Sequence, residues 1–115
     1  VLAALKTMYS MIGYIQKIVI LGDMLGIGEE IISMHRDVGI KINPNEIDYV
    51  LTYGEYGRYI SEAAKINFGK DRVFHYDSKE ELVKKAKELI KPNALVLVKA
   101  SRPLQMEDVV EALKV

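Results

Sequence analysis

The chain has 115 residues, enough for one small domain, and half of them are hydrophobic, which argues against a disordered chain. Sixteen basic residues balance sixteen acidic ones, which argues against a protein whose main work is coating nucleic acid. The sequence contains no cysteine, so disulfides and thiolate metal sites are excluded. No apolar run reaches the ~18 residues of a membrane span, and the N-terminus lacks the pattern of a signal peptide.

The predicted elements alternate between helix and strand along the chain. The apolar spacing of residues 2–12 predicts an opening helix, and because no capping residue precedes it we expect the chain to be a piece of a longer protein. A β-branched run at 17–23 predicts a strand buried on both faces. The remaining patterns predict helices at 29–42, 56–66, 78–90 and 105–115, and strands at 47–54, 72–76 and 94–101, the last of them strongly buried.

The helix at 29–42 is predicted to pack through one apolar face, formed by Ile31, Met34, His35, Val38 and Ile42. The alternation of helices and strands along the chain predicts an α/β fold, a three-layer α/β/α Rossmann-like domain with a mostly parallel sheet. Ligands of these sheets gather outside the carboxyl ends of the strands. Any site should therefore use the loops at 22–24, 54–55, 76–78 and 99–102.

The loop after the first predicted strand carries three glycines between residues 22 and 28, a composition that can hold a phosphate. Its G-x-x-x-G-x-G spacing differs from the dinucleotide fingerprint G-x-G-x-x-G, and the chain contains no P-loop segment. Glu29 and Glu30 already bring negative charge to the start of the next helix. We therefore interpret the loop as a turn. Asp23 is either a functional carboxylate or a cap of this loop, and the pattern does not separate the two.

Two histidines and one cationic segment are the other candidates. His35 lies on an apolar helix face, where a packed, hydrogen-bonded histidine is expected, and His75 alternates with aromatic residues in a short strand. Neither has a partner at the spacing of zinc ligands, so we predict no metal site. The segment K-A-S-R-P at 99–103 places an ammonium, a hydroxyl and a guanidinium beyond a strand, where arginine can bind a carboxylate or phosphate. An exposed turn with solvated charges is the alternative.

Five segments follow one another along the chain, KIVILGDMLGIGEE, MHRDVG, IDYVLTYGE, VFHYDSKEELV and VLVKASRPLQMEDVVEAL. This ordered series resembles the C-terminal domain of the Mur ligases, from about Ile18 to Leu113. The closest type is the MurF-type ligase, which joins D-alanyl-D-alanine to UDP-N-acetylmuramoyl-tripeptide. Its members typically show L-G-D-M-x-E-L-G, then H-x-x-V/A-G, V-K-G-S-R and M-E-x-V-V.

The resemblance implies a three-domain cytoplasmic enzyme of peptidoglycan biosynthesis, whose N-terminal domain binds the UDP-sugar and whose central domain binds ATP and Mg²⁺. ATP phosphorylates the carboxylate of the UDP-muramoyl-tripeptide, and the amine of D-alanyl-D-alanine attacks the acyl phosphate. Residues 1–115 would be the C-terminal domain, which supplies part of the dipeptide pocket and part of the lid over ATP. Its implied partners are the missing N-terminal and central domains, with no nucleic acid and no membrane insertion.

The resemblance also suggests roles for matching residues. Lys99, Ser101 and Arg102 match V-K-G-S-R and are expected to bind substrate. Asp23 and His35 match their motifs and are expected on the nucleotide side or at a domain interface, with His35 in a packing or hinge role. No catalytic or metal-binding residue is assigned within this chain.

Departures from the family pattern limit these expectations. Gly26 stands where the family has a glutamate, Ala100 replaces a glycine, and Pro103 follows the arginine. The D-x-Y-N-A-N-P segment that helps contact the nucleotide is absent, so we expect the isolated chain to bind no cofactor and to be inactive alone. Two alternatives stay open: a Mur ligase adding another amino acid, and a stand-alone Rossmann-like or flavodoxin-like binding module.

Overall fold

Helices and strands alternate in the computed structural model, which describes residues 1–26 and 28–114. The helices are α1 (Leu2–Ser10), α2 (Ile31–Lys41), α3 (Gly57–Phe68), α4 (Lys79–Leu89) and α5 (Glu107–Leu113). The strands are β1 (Gln16–Gly22), β2 (Tyr49–Tyr53), β3 (Val73–Tyr76) and β4 (Ala94–Lys99). A single 3₁₀ turn, Arg102–Leu104, joins β4 to α5 in the described part of the chain.

The strands form one parallel sheet in the order β3-β2-β1-β4. Strand β1 lies inside the sheet, paired with β2 on one side and β4 on the other, and its residues 18–21 are fully buried. A continuous β-branched run suits this position because both faces of the strand are covered. The prediction of an α/β fold with a parallel sheet is confirmed.

Helices cover both faces of the sheet and create two apolar layers. On one face, α1, α2 and α3 pack on β1 and β2 through residues that include Leu5, Met8, Val38, Ile60 and Ala64. On the other face, α4 and α5 pack through Leu82, Ala86, Met106 and Val109. This gives the three predicted layers. None of the helices in the described ranges combines the length and the apolar character that crossing a bilayer requires.

Some boundaries and burial predictions are wrong. Helix α1 ends at Ser10 rather than residue 12, and α2 begins at Ile31 because residues 29 and 30 form a turn after Gly28. Met34 was expected on the apolar face but is 43% exposed. Strand β4 was expected to be strongly buried, yet it ends at Lys99 and its residues 94–98 are only half-buried. The physical reason is position, since β4 is an edge strand of the described sheet.

Candidate functional site

A cleft of about 590 Å³ opens at the carboxyl edge of the sheet, where parallel α/β folds bind their ligands. Its lining comes from the ends of three strands, from the first turn of α3 and from the 3₁₀ turn. The lining residues include Asp23, Gly54, Glu55, Arg58, Asp77 and Leu104. The cleft therefore contains both a guanidinium and carboxylates, and Leu104 adds apolar surface.

Asp23 follows β1, and its carboxylate is bound to the start of α3. Its Oδ1 accepts hydrogen bonds from the backbone N–H groups of Tyr56 and Gly57, both at 2.8 Å. The side chain is only 8% exposed. Two backbone donors at a helix N-terminus stabilise a buried carboxylate, since they supply hydrogen bonds and the positive end of the helix dipole. Asp23 thus joins β1 to α3 across the sheet edge.

His35 holds the next residue of the same loop. Its Nε2 accepts from the backbone N–H of Met24 at 2.9 Å, and its Nδ1 lies within hydrogen-bond distance of the Ile31 carbonyl. Because Nε2 is the acceptor, the proton of the neutral ring is on Nδ1, which donates to Ile31. The residue is 1% exposed, and its ring lies 5.7 Å from that of Tyr56. His35 therefore connects the loop to helix α2.

The glycine-rich loop has a conformational reason for its composition. Gly26 and Gly28 have φ values of +81° and +88°, in the region where a side chain is strained. Residue 27 lies outside the described residues. This geometry agrees with our interpretation of the loop as a turn.

The three residues of the K-A-S-R-P segment predicted to bind substrate have different surroundings. The backbone N–H of Ser101 donates to the Asp23 carbonyl at 2.9 Å, and its Oγ accepts from the N–H of Leu25 at 2.6 Å. Lys99 ends β4 and Arg102 begins the 3₁₀ turn, and both are exposed. Ser101 is thus fixed to the β1 loop, while the two cations on either side of it lie at the surface.

Gly22 explains how this segment approaches β1 so closely. A Cβ at Gly22 would lie 2.9 Å from the Cβ of Ala100 and 2.9 Å from a Leu104 methyl. The absence of a side chain at Gly22 leaves room for both. Ala100, which departs from the family glycine, therefore packs directly over Gly22.

His75 has partners that its sequence position did not reveal. Its Nδ1 lies 2.8 Å from the hydroxyl of the buried Thr52, and its Nε2 lies 3.1 Å from Oδ1 of Asp77. Thr52 and His75 meet because they are register partners in the neighbouring strands β2 and β3. Within the described residues, no three His, Asp or Glu side chains are grouped to hold a metal ion.

Arg58 is held by an aromatic neighbour. Its Nη2 donates to the Tyr59 hydroxyl at 3.0 Å, and its guanidinium carbon lies 4.9 Å from the centre of that ring. The hydrogen bond to Tyr59 is the main cause that raises the pKa of Arg58 above its usual value. At the end of β3, burial raises the pKa of the Tyr76 phenol. Arg58 is a cation, and Tyr76 is neutral, at physiological pH.

The structure brings together some of the predicted residues. Asp23 and Ser101 are hydrogen-bonded to each other through the backbone, and His35 is bound to the same loop through Met24. The residue-level prediction missed Glu55, Arg58 and Asp77. The signal was available for two of them, because residues 55 and 77 follow β2 and β3 directly. Their binding roles, like those of the predicted residues, stay predictions.

A comparison with protein families places the chain. A family model described as "Mur ligase, glutamate ligase domain" matches residues 1–102. This chain belongs to the Mur ligase family. Membership shows that the chain is related to these ligases, and it agrees with the parallel sheet described above.

Curated Mur ligases give the next level of detail. The chain is 41% identical over 111 residues to the UDP-N-acetylmuramoyl-tripeptide–D-alanyl-D-alanine ligase of Bacillus subtilis, covering 96% of this chain. It is 38% identical over 104 residues to the ligase of the same name from Haemophilus influenzae, covering 85% of this chain. The chain spans only 24% and 21% of the length of these two relatives.

Solved Mur ligase structures share the fold. MurF from Acinetobacter baumannii superposes with a TM-score of 0.81 at 22% identity, over 96% of this chain and 24% of that one. MurF from Thermotoga maritima in complex with ADP gives a TM-score of 0.75 at 22% identity, over 95% of this chain and 23% of that one. At these identities the structures establish the shared fold.

Proposed function

We propose that this chain is the C-terminal domain of an ATP-dependent ligase that joins D-alanyl-D-alanine to UDP-N-acetylmuramoyl-tripeptide in peptidoglycan biosynthesis. The observation that carries the proposal is the 41% identity over 111 residues to a Bacillus subtilis ligase of that name. In the parent enzyme, this domain supplies part of the dipeptide pocket and part of the lid over ATP. The parent works in the cytoplasm, where ATP and UDP-linked precursors are found.

The charges of the cleft support this proposal. A dipeptide carries an ammonium at one end and a carboxylate at the other, and the cleft presents groups of both signs. Arg58 suits the carboxylate because a guanidinium can donate two parallel hydrogen bonds to it. Glu55 and Asp77 suit the ammonium. The K-A-S-R segment adds two exposed cations, Lys99 and Arg102, whose charge suits an anionic substrate group, with Ser101 between them in the sequence.

The reaction explains why such a domain is needed. A carboxylate is a poor electrophile until ATP converts it into an acyl phosphate, which the dipeptide amine attacks to release phosphate. A domain that closes over the site holds amine and acyl phosphate together and excludes water. ATP and Mg²⁺ are assigned to the central domain by the family resemblance, and the residues described in this chain supply orientation.

The test uses the full-length enzyme. We expect phosphate release from ATP that depends on both UDP-muramoyl-tripeptide and D-alanyl-D-alanine. Single amino acids, including D-glutamate and L-alanine, should not replace the dipeptide. Turnover with one of them and none with the dipeptide would instead identify a Mur ligase that adds another amino acid.

The isolated chain provides a second measurement. With the same substrates, the 115-residue chain alone should release no phosphate above background. Turnover by the pure chain, undiminished through successive columns, would contradict the division of labour between domains that we propose.

A further inference from the structure

One residue, Asp23, connects both sides of the cleft. Its carboxylate accepts from the N–H groups of Tyr56 and Gly57 at 2.8 Å, which fixes the first turn of α3 and hence the position of Arg58. Its backbone carbonyl accepts from the N–H of Ser101 at 2.9 Å. The two sides of the cleft thus meet at a single residue after the central strand.

The carboxylate has little space in which to move. A Cβ built on Gly54 would lie 2.5 Å from Oδ1, 2.8 Å from the carboxyl carbon and 2.9 Å from Oδ2 of Asp23. Gly54 also has φ +101°, which other residues rarely adopt. The backbone of the β2 loop is therefore packed against the carboxylate. A side chain longer by one methylene that kept the direction of Asp23 would press on this loop.

We infer that Asp23 is a positioning residue for the ligase reaction. Its carboxylate sets the turn that carries Arg58, and its backbone carbonyl holds the segment that carries Ser101, Arg102 and the cleft residue Leu104. This inference rests on the proposed function. It differs from the expectation that Asp23 faces the nucleotide or a domain interface, because here its carboxylate acts on the backbone of its own domain. Asp23 would act on substrate only through the residues that it holds.

Substitutions at residue 23 separate positioning from ligand contact, because one oxygen, Oδ1, accepts both hydrogen bonds. Asp23→Asn keeps this acceptor in place and removes the charge. Asp23→Glu keeps the charge and displaces the acceptor, and Asp23→Ala removes both. A positioning residue therefore requires that Asn performs better than Glu. A residue that binds a cation or a substrate ammonium requires the reverse order.

The first measurement is independent of activity. Hydrogen exchange of the full-length protein, followed by mass spectrometry, should show faster exchange at 54–60 and at 99–105 in Asp23→Ala and Asp23→Glu. Asp23→Asn and the exposed control Asp71→Asn should exchange as the wild type does. Faster exchange at 54–60 with no change at 99–105 would reduce Asp23 to a cap of α3 and overturn the inference.

The second measurement is kinetic. With saturating ATP, kcat/KM for D-alanyl-D-alanine should fall by about tenfold or more in Asp23→Glu, and stay within about threefold of the wild type in Asp23→Asn. If Asp23→Ala does not fold, the comparison of Asn with Glu still decides. Asn as poor as Glu, with normal exchange, would mean direct contact with a ligand and overturn the inference. A wild-type enzyme inactive with the dipeptide would contradict the proposed function. The hydrogen-exchange measurement would still test whether Asp23 positions the two segments.

Discussion

Polar side chains join the loops at both ends of the parallel sheet, but the two ends differ in what surrounds these side chains. At the amino end, Arg72 donates to the backbone carbonyls of Pro44 and Asp48, each at 2.8 Å, and also to Ile47. The amide of Gln16 joins the Leu89 carbonyl to the Lys91 N–H, each at 2.9 Å. These side chains bind backbone groups, and the Arg72 guanidinium also packs on the Phe68 ring.

At the carboxyl end, Asp23 and His35 also bind backbone groups. The Asp23 carboxylate binds the start of α3, and His35 binds the loop after β1. The difference is one of size, because Glu55, Arg58 and Asp77 line a cleft of about 590 Å³. The cavity at the amino end, lined by residues that include Gln16 and Arg72, measures about 160 Å³. The comparison teaches that a buried polar group alone does not mark a functional site. The distinguishing features are the larger cleft and its place at the carboxyl edge, where parallel α/β sheets bind their ligands. Mutations at the amino end should therefore change stability, and mutations lining the cleft should change activity.

Replacing Arg72 by Ala should have the largest effect, and only on stability. The substitution removes the donor of three carbonyls, two of them in part-buried hydrogen bonds, and removes the guanidinium 4.8 Å from the Phe68 ring. We expect the free energy of unfolding to fall by about 2–4 kcal/mol in urea titrations of the chain. Lys70→Ala, at an exposed neighbouring position, is the control. Lost activity in a full-length Arg72→Ala enzyme of normal stability would break the contrast between the two ends.

Replacing Gly22 by Ala should change both stability and activity, since Gly22 lies where the core meets the cleft. The added Cβ would lie 2.9 Å from atoms of Ala100 and Leu104, so we expect a loss of about 1–3 kcal/mol. Ala100→Gly restores the family residue and should recover part of this loss in the double variant. Urea titrations of the two single variants and the double variant measure the coupling. Strictly additive effects would show that Ala100 does not press on residue 22.

Replacing Arg58 by Ala should act on the substrate alone. Arg58 is exposed and lines the cleft, so its loss removes a carboxylate partner without opening the core. In the full-length enzyme, kcat/KM for D-alanyl-D-alanine should fall by about tenfold with unchanged thermal unfolding. Lys65→Ala, an exposed cation of the same helix, is the matched control. Equal losses in both variants would indicate a general effect of charge.

Replacing Arg102 by Ala should give the smallest effect of the four. Arg102 is exposed at the start of the 3₁₀ turn, where water competes for its charge. We expect KM for the dipeptide to rise, or kcat to fall, by about three- to tenfold in steady-state assays. Lys91→Ala, near the amino end of β4, should leave both constants unchanged. Wild-type kinetics in Arg102→Ala would remove Arg102 from the substrate site.

The fold was predictable in outline because local patterns repeat along the chain. The β-branched run of residues 18–21 specifies a strand buried on both faces. The spacing of Leu82 and Ala86 specifies a helix that packs through one face. The site was predictable as a set of loops, since every parallel strand ends at the same edge. The individual side chains that line the site were harder to predict from the sequence. Arg58 lies inside a helix and His75 inside a strand, and neither position differs in pattern from a structural one.

By itself, the sequence determined the alternation of helices and strands, the parallel sheet and the family to which the chain belongs. Each depends on the spacing or order of neighbouring residues, which any reader of the chain can follow. Only the tertiary structure decided that β4 lies at an edge and that Asp23 binds the start of α3. The partners in these contacts are far apart, 33 residues for Asp23 and Tyr56 and 76 for Leu25 and Ser101. A hydrogen bond between residues so far apart in the sequence forms only once the order of the strands in the sheet is set. That order depends on the packing of the whole domain.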